Sequence, residues 1–134
     1  MKRLGLAWLA CSGTNVLLGV LFHRIVMGER IEAFFRQLGS PPTPALALGT
    51  HLVITTAMVY LYPRFYRGGS PALEGYKLGV VVGALVISPV IFLFLVMGVG
   101  WSTIVLDGLW HVFVEEPVTG MVLGLVYARI RSNP

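Results

Sequence analysis

The sequence predicts an all-α fold, a membrane-spanning four-helix bundle with a short amphipathic helix between spans one and two. Three observations predict it. Of the 134 residues 56% are hydrophobic and only 12% charged, where soluble domains carry about 25% charge. The mean hydropathy is +0.81. The charges are gathered between long uncharged runs, and because a bilayer core about 30 Å thick needs about 20 apolar residues per helix, the chain holds four spans as a single domain, residues 1 to 134. No room is left for a separate soluble domain. The sequence pI of 9.6 does not indicate nucleic acid, since the ten Lys and Arg are scattered in short flanks. A single cysteine excludes a disulfide framework, a CxxC redox pair and a Cys-based zinc cage.

Each element follows from where charge and proline stand. Residues 4 to 22 carry no Asp, Glu, Lys or Arg and end at His23-Arg24, so they form the first span. Lys2-Arg3 and the apolar stretch up to Cys11 look superficially like a lipoprotein signal, but the apolar run continues beyond Cys11, and Trp8 and Leu9 fit poorly before such a cysteine. An uncleaved span is expected. Between spans one and two, Ile31, Phe34, Phe35 and Leu38 follow the i, i+3, i+4, i+7 spacing of a helix stripe, so residues 29 to 38 read as an amphipathic helix on the outer face, with Gly39 capping it before Ser40-Pro41-Pro42. It either joins two spans or lies as a lid over a pocket, with Phe34 and Phe35 as membrane anchors. The second span covers residues 45 to 62, after the prolines at 41, 42 and 44. The uncharged run 78 to 106 is too long for one span, so Gly98-Val99-Gly100 reads as a hairpin turn and the third span as 78 to 97. The fourth is different: its charge-free run, 117 to 128, is too short to cross, and Glu115 and Glu116 must lie inside the membrane.

Four spans put both termini on one side, with Lys2, Arg3, Arg64, Arg67, Lys77, Arg129 and Arg131. The other side has Arg24, Arg30 and Arg36, partly offset by Glu29 and Glu32. Seven basic residues against three place both termini in the cytoplasm of a cell whose inner membrane holds the chain. This bias argues against a dual-topology antiparallel dimer. Tyr60, Tyr62, Phe65, Tyr66, Tyr76 and Tyr127 read as an inner aromatic belt, Trp101 and Trp110 as an outer one.

Gly79-xxx-Gly83 and Gly120-xxx-Gly124 are small-residue motifs that let helices approach closely in lipid. A hairpin turning near Gly100-Trp101 sets Gly79 opposite Gly124 and Gly83 opposite Gly120, so spans three and four should touch tightly in their cytoplasmic halves. A homodimer, or a larger membrane complex, is the rival use of these stripes. Pro89 and Pro117 each free a backbone carbonyl and are expected to bend their helices at mid-depth.

An ionisable residue within the membrane costs about 2.5 to 3.5 kcal/mol at a helix centre and is therefore a functional candidate by default. Asp107, His111 and Glu115 recur every four residues along one face of the fourth span, with Glu116 about 100° away. At least one glutamate must face the interior. His23, His51 and His111 fall in one outer layer on three different helices, and Ser12, Asn15, Gly19, Thr55 and Ser88 extend the polar stripe inward. The ligand-binding candidates are Glu115, His111, His51, Asn15, Asp107 and Thr55. His23, His51 and His111, helped by Asp107 or Glu115, suit a divalent ion, and two facing histidines suit a b-type haem. A His-Glu ladder also suits proton relay. The plain alternative is that these groups hydrogen-bond across helices to fix the bundle. Cys11, among Ser12, Gly13 and Thr14, reads as a small packing residue.

The string Asp107-Gly-Leu-Trp-His111 followed by Glu116-Pro-Val-Thr-Gly120-Met-Val-Leu-Gly124 resembles the end of small bacterial four-helix integral membrane proteins of uncharacterised function. Their layout is similar along most of the chain: a glycine-rich first helix, an amphipathic outer connection and a glycine-bearing final hairpin. The resemblance implies a multi-pass protein without an assigned reaction and carries over no catalytic residue. Small multidrug transporters are similar in size and span number, but they carry a key glutamate in the first helix, where this chain has no acid.

The expected function is binding or transport of a small ligand or protons through an outward-opening polar pocket. Two other readings remain at this point: a non-catalytic accessory subunit of a larger membrane complex, and metal or b-type haem binding by intramembrane histidines. The expected partners are the lipid bilayer and a small ligand, with no nucleic acid. No nucleophile-base pair or cofactor loop indicates an enzyme.

Overall fold

The structure, a computed structural model, describes residues 2–37, 39 and 43–132. Leu38, Ser40, Pro41 and Pro42 lie outside them, as do the side chains of Lys2, Arg3, Ile31, Phe34 and Arg131. The described residues form helices joined by short turns, with no strand among them. Helix α1 (Lys2–Leu21) runs into a π-helical turn, Phe22–Val26, and α2 (Gly28–Gln37) follows. Then come α3 (Pro44–Phe65) and α4 (Pro71–Val96), and last α5 (Trp101–Trp110), a second π-helical turn, His111–Glu115, and α6 (Glu116–Ser132). Four stretches are long and apolar enough to cross a membrane: Leu4–Val26, Pro44–Phe65, Pro71–Val96 and Trp101–Ile130. The last threads α5, the π turn and α6 into one span.

Local chemistry sets the ends. Thr43 caps α3, its hydroxyl accepting from the Leu46 N–H at 3.3 Å, and Pro44 follows where a missing N–H costs nothing. Pro71 opens α4 in the same way, about two turns before the expected start at residue 78, because charge does not stop a helix at headgroup depth: Glu74 and Lys77 pair at 2.7 Å on its first turns. Gly39 and Gly98 take positive φ, 68° and 70°, one after α2 and one in the α4–α5 hairpin.

The interior has two zones, named here by the bundle end that bears α2 and the end that bears the termini. Ala7, Cys11, Ile54, Met58, Val59, Tyr62, Leu78, Val82 and Leu123 form the apolar core of the termini half. Tyr62 is fully buried there, donating its hydroxyl to the Pro71 carbonyl at 2.9 Å, so it belongs to the core and not to the expected belt. At the α2 end a smaller cluster forms around Phe94 and Ile104, and Phe35 packs on it. Phe35 thus ties α2 to the α4–α5 hairpin instead of anchoring in lipid. The outside is apolar, with Leu6, Leu17, Val53, Leu85, Phe92 and Leu125 all exposed, as a bundle solvated by lipid requires.

Spans three and four do approach most closely, but about two helical turns out of the expected register, since Gly79 lies against Glu116 and Pro117 where Gly124 was expected. A Cβ on Gly75 would strike the Gly120 carbonyl, one on Gly79 the backbone of Glu116 and Pro117, one on Gly83 the His111 carbonyl, and one on Gly124 the Pro71 carbonyl. The hairpin turns around Met97-Gly98, not Gly100-Trp101, so Gly79 and Gly83 do not face Gly124 and Gly120. Gly75 extends the stripe to three glycines, and all five glycines are covered within the chain. Helix α4 continues through Pro89, and α3 includes Pro63.

Candidate functional site

Pro117 explains the local shape of the fourth span. A proline within a helix lacks an N–H and its ring crowds the carbonyl four residues back, here that of Phe113, and the backbone accommodates this by widening into a π turn over His111–Glu115. The consequence is a new alignment. In a π turn residues five apart stack, and the two hydrogen bonds that organise this site have that spacing: Trp110 Nε1 donates to Glu115 Oε2 at 2.9 Å, and His111 Nδ1 lies 3.1 and 3.2 Å from the two oxygens of Glu116. Both glutamates are turned inward and both are fully buried. Asp107 is buried as well.

Helix α1 presents Ser12, Asn15 and Gly19 to this row, all buried, and the π turn that follows it carries His23 at the α2 end. Asn15 is fixed from both sides: its amide donates to Thr119 Oγ1 at 3.4 Å and its Oδ1 accepts from His51 Nδ1 at 2.8 Å. That nitrogen also stands 3.3 Å from Glu115 Oε1. Gly19 leaves room for the His51 ring, because a Cβ there would come within 2.8 Å of His51 Nε2. Thr55 lies one turn further along α3, where it donates to the His51 carbonyl at 2.9 Å and shares a 2.9 Å hydrogen bond with Ser12. Its hydroxyl thus clasps α1 to α3 beneath the site.

Nearer the α2 end, Asp107 Oδ1 sits between two imidazoles, 3.9 Å from His23 Nε2 and 3.8 Å from His111 Nε2. A continuous row of carboxylates and imidazoles therefore runs from His23, 34% exposed, through Asp107, His111 and Glu116 to Glu115, His51 and Asn15. It ends at Thr119 and Cys11, against the apolar core. Two buried oxygens, Asp107 Oδ1 and Glu115 Oε1, have no hydrogen-bond partner. Leaving a buried acceptor unpaired is costly, so both mark places where a donor or a cation belongs.

Six candidates from the sequence, Glu115, His111, His51, Asn15, Asp107 and Thr55, fall in or directly beneath this row. The expected trio of histidines does not converge. Among the described residues, the groups whose ligand atoms lie within 4.8 Å of one another are His23, Asp107 and His111, and His111, Glu115 and Glu116. His51 belongs to neither, since its Nδ1 is turned to Asn15 and Glu115. A haem sandwiched by two histidines is also disfavoured: His23 and His111 aim their Nε2 atoms at one Asp107 oxygen, which occupies the place of the porphyrin plane. Ser88 faces outward and bonds the Ala84 carbonyl of its own helix at 2.6 Å, so it does not join the stripe.

Two members, Trp110 and Thr119, were missed from sequence, and Glu116 was left open beside Glu115. Trp110 is half-buried, stacked on Phe22 at 4.5 Å between ring centroids and turned to Glu115, where an outer belt was expected. Thr119 completes the Asn15 contact, and Glu116 is as fully part of the row as Glu115. The i, i+5 pairs Trp110–Glu115 and His111–Glu116 just before Pro117 were the available signal. Comparison with known proteins finds no matching family model, no matching curated protein and no matching solved structure. Function therefore has to be argued from the chemistry of the row.

Proposed function

We propose that this is a multi-pass membrane protein that binds a small cation, or protons, in the buried carboxylate–imidazole row, which is reached from the outer face at the α2 end. One observation carries the reading: three buried carboxylates stand on one span, and among the described residues their charge partners within 4.0 Å are histidines alone. No Lys or Arg occurs in residues 4–22, 45–63 or 78–106, so the surrounding spans supply no fixed positive charge at that depth. A buried acid in such surroundings has to be compensated, and a cationic ligand or a proton does so. Glu115 Oε1 accepts no hydrogen bond and has only the His51 ring nitrogen, 3.3 Å away, beside it, so the added charge is proposed to sit there.

The apolar core around Met58, Tyr62 and Leu123 closes the row at the termini half, so in this reading a ligand enters from the α2 end. Transport to the cytoplasm requires that core to part. The accessory-subunit reading relied on the glycine stripes as a docking face, and those glycines are taken up between α4 and the fourth span.

The test is thermal unfolding of the purified protein in detergent, titrated with sodium, potassium, tetramethylammonium and protons. A ligand at 100 times its dissociation constant stabilises by about 2.7 kcal/mol, which raises the melting temperature by several degrees. We expect a saturable rise with at least one of these cations and its loss in Glu115→Gln and in His51→Leu. The reading is overturned if none of them moves the transition, or if both variants respond as the wild type does.

A further inference from the structure

The α2 end of the row has a geometry that the deeper part lacks. His23 Nδ1 lies 2.8 Å from the Gly19 carbonyl, which can only accept, so Nδ1 carries the hydrogen and donates. His111 Nδ1 is set against both oxygens of Glu116, so it too carries the hydrogen. In the neutral form of each ring Nε2 is then left with a bare lone pair. Both point at Asp107 Oδ1, at 3.9 and 3.8 Å, and that oxygen belongs to a side chain only 5% exposed and has no hydrogen-bond partner. With both rings neutral, three electron-rich atoms face one another across a small gap. Such a cluster repels itself unless a positive centre stands in its midst.

We infer that His23 Nε2, Asp107 Oδ1 and His111 Nε2 form a binding site for a divalent transition cation of the zinc class. Two imidazole nitrogens and one carboxylate oxygen suit Zn²⁺, with metal–ligand distances of about 2.0 to 2.2 Å, so tetrahedral ligands stand about 3.4 Å apart and the three atoms need to draw in by roughly half an ångström. The outer contacts are those that metal-binding histidines use: one ring is oriented by a backbone carbonyl and the other by a carboxylate, and each fixes the tautomer that frees Nε2. Three protein ligands leave at least one position for water or an exogenous ligand, on the side where His23 is partly exposed. The site extends the proposed cation reading to the α2 end, but it depends on different residues, and the two readings fail separately.

The experiment is a Zn²⁺ titration of the untagged full chain in detergent, with bound metal counted by elemental analysis and Co²⁺ absorption as the coordination signature. We expect one ion per chain in the wild type. His23→Ala, whose side chain is partly exposed and which therefore keeps the fold, and Asp107→Asn should each weaken binding by more than tenfold. Glu116→Gln, which loosens only the orientation of His111, should weaken it by about 10- to 100-fold. Glu115→Gln should leave the metal bound while removing the stabilisation by the cations named above. The inference is overturned if the wild type binds no stoichiometric metal, if His23→Ala and Asp107→Asn bind as tightly as wild type, or if Glu115→Gln alone abolishes binding, which would put the ion at the deeper carboxylates.

Discussion

Gly19 is the residue at which one methyl group would be felt most directly in the polar row. The His51 ring lies against it and is already held by Asn15 and Glu115, so Gly19→Ala forces the ring away from both partners. Overpacking of this kind costs about 1 to 3 kcal/mol. The expected result is a melting temperature lower by several degrees, together with a shift in the His51 ring nitrogen resonances. An unchanged spectrum would mean that the ring is not confined there. Trp110→Phe makes a complementary test, because it keeps an aromatic ring beside Phe22 and removes only the N–H that Glu115 Oε2 accepts. A buried acceptor left without its donor costs about 1 to 3 kcal/mol, which urea unfolding in detergent would register, whereas Trp101→Phe, at an exposed position, should have no effect. Asn15, His51, Asp107 and Glu115 were legible as site residues because spacing and depth decide which residues share a face. Trp110 and Tyr62 were not, because an aromatic near a span end fits a headgroup belt and a buried hydrogen bond equally well until the neighbouring helices are placed.

At the scale of elements, the α4–α6 contact sets the site, because it presses Gly83 against the π turn and holds His111 and Glu116 inward. The glycines of this contact are not interchangeable with the others in the chain. A side chain on Gly79 meets the backbone of Glu116 and Pro117, which cannot rotate aside, while one on Gly13 meets nothing within 4 Å. Gly79→Leu should therefore unfold the hairpin or cost more than about 3 kcal/mol, and Gly13→Leu should be near neutral, as read by melting in detergent. Equal effects from the two would refute the assignment of the packing face. That spans three and four pack through glycines was evident from the two motifs, but their register was not. A hairpin centred on Met97-Gly98 shifts the pairing by about two turns relative to one centred on Gly100-Trp101, and the composition of Gly98-Val99-Gly100 allows either. The π turn was hidden for a related reason: helical spacing arguments assume 100° per residue throughout, and Pro117 breaks that assumption where the two glutamates lie.

For the molecule as a whole, the polar interior and apolar exterior leave one large question to charge: which end faces the cytoplasm. The helical bundle itself is the same in either orientation. What distinguishes them is the distribution of basic residues at the span ends, seven at the termini end and three at the α2 end, and the basic excess is retained on the cytoplasmic side during insertion. A C-terminal reporter that is active only in the cytoplasm should therefore be active in the wild type. A charge-shifted variant makes the test specific. Arg64→Gln with Arg67→Gln reduces the termini end to five, and Glu29→Lys with Glu32→Lys raises the α2 end to five, all at exposed positions that leave the core and the polar row untouched. With the bias removed, the reporter signal should fall to that of a mixed population while the protein still folds. If the wild-type reporter is silent, or the balanced variant is as uniform as the wild type, basic charge does not set the orientation. The partly exposed His23 would then have to be assigned to a side by other means, such as its protection from a membrane-impermeant histidine reagent.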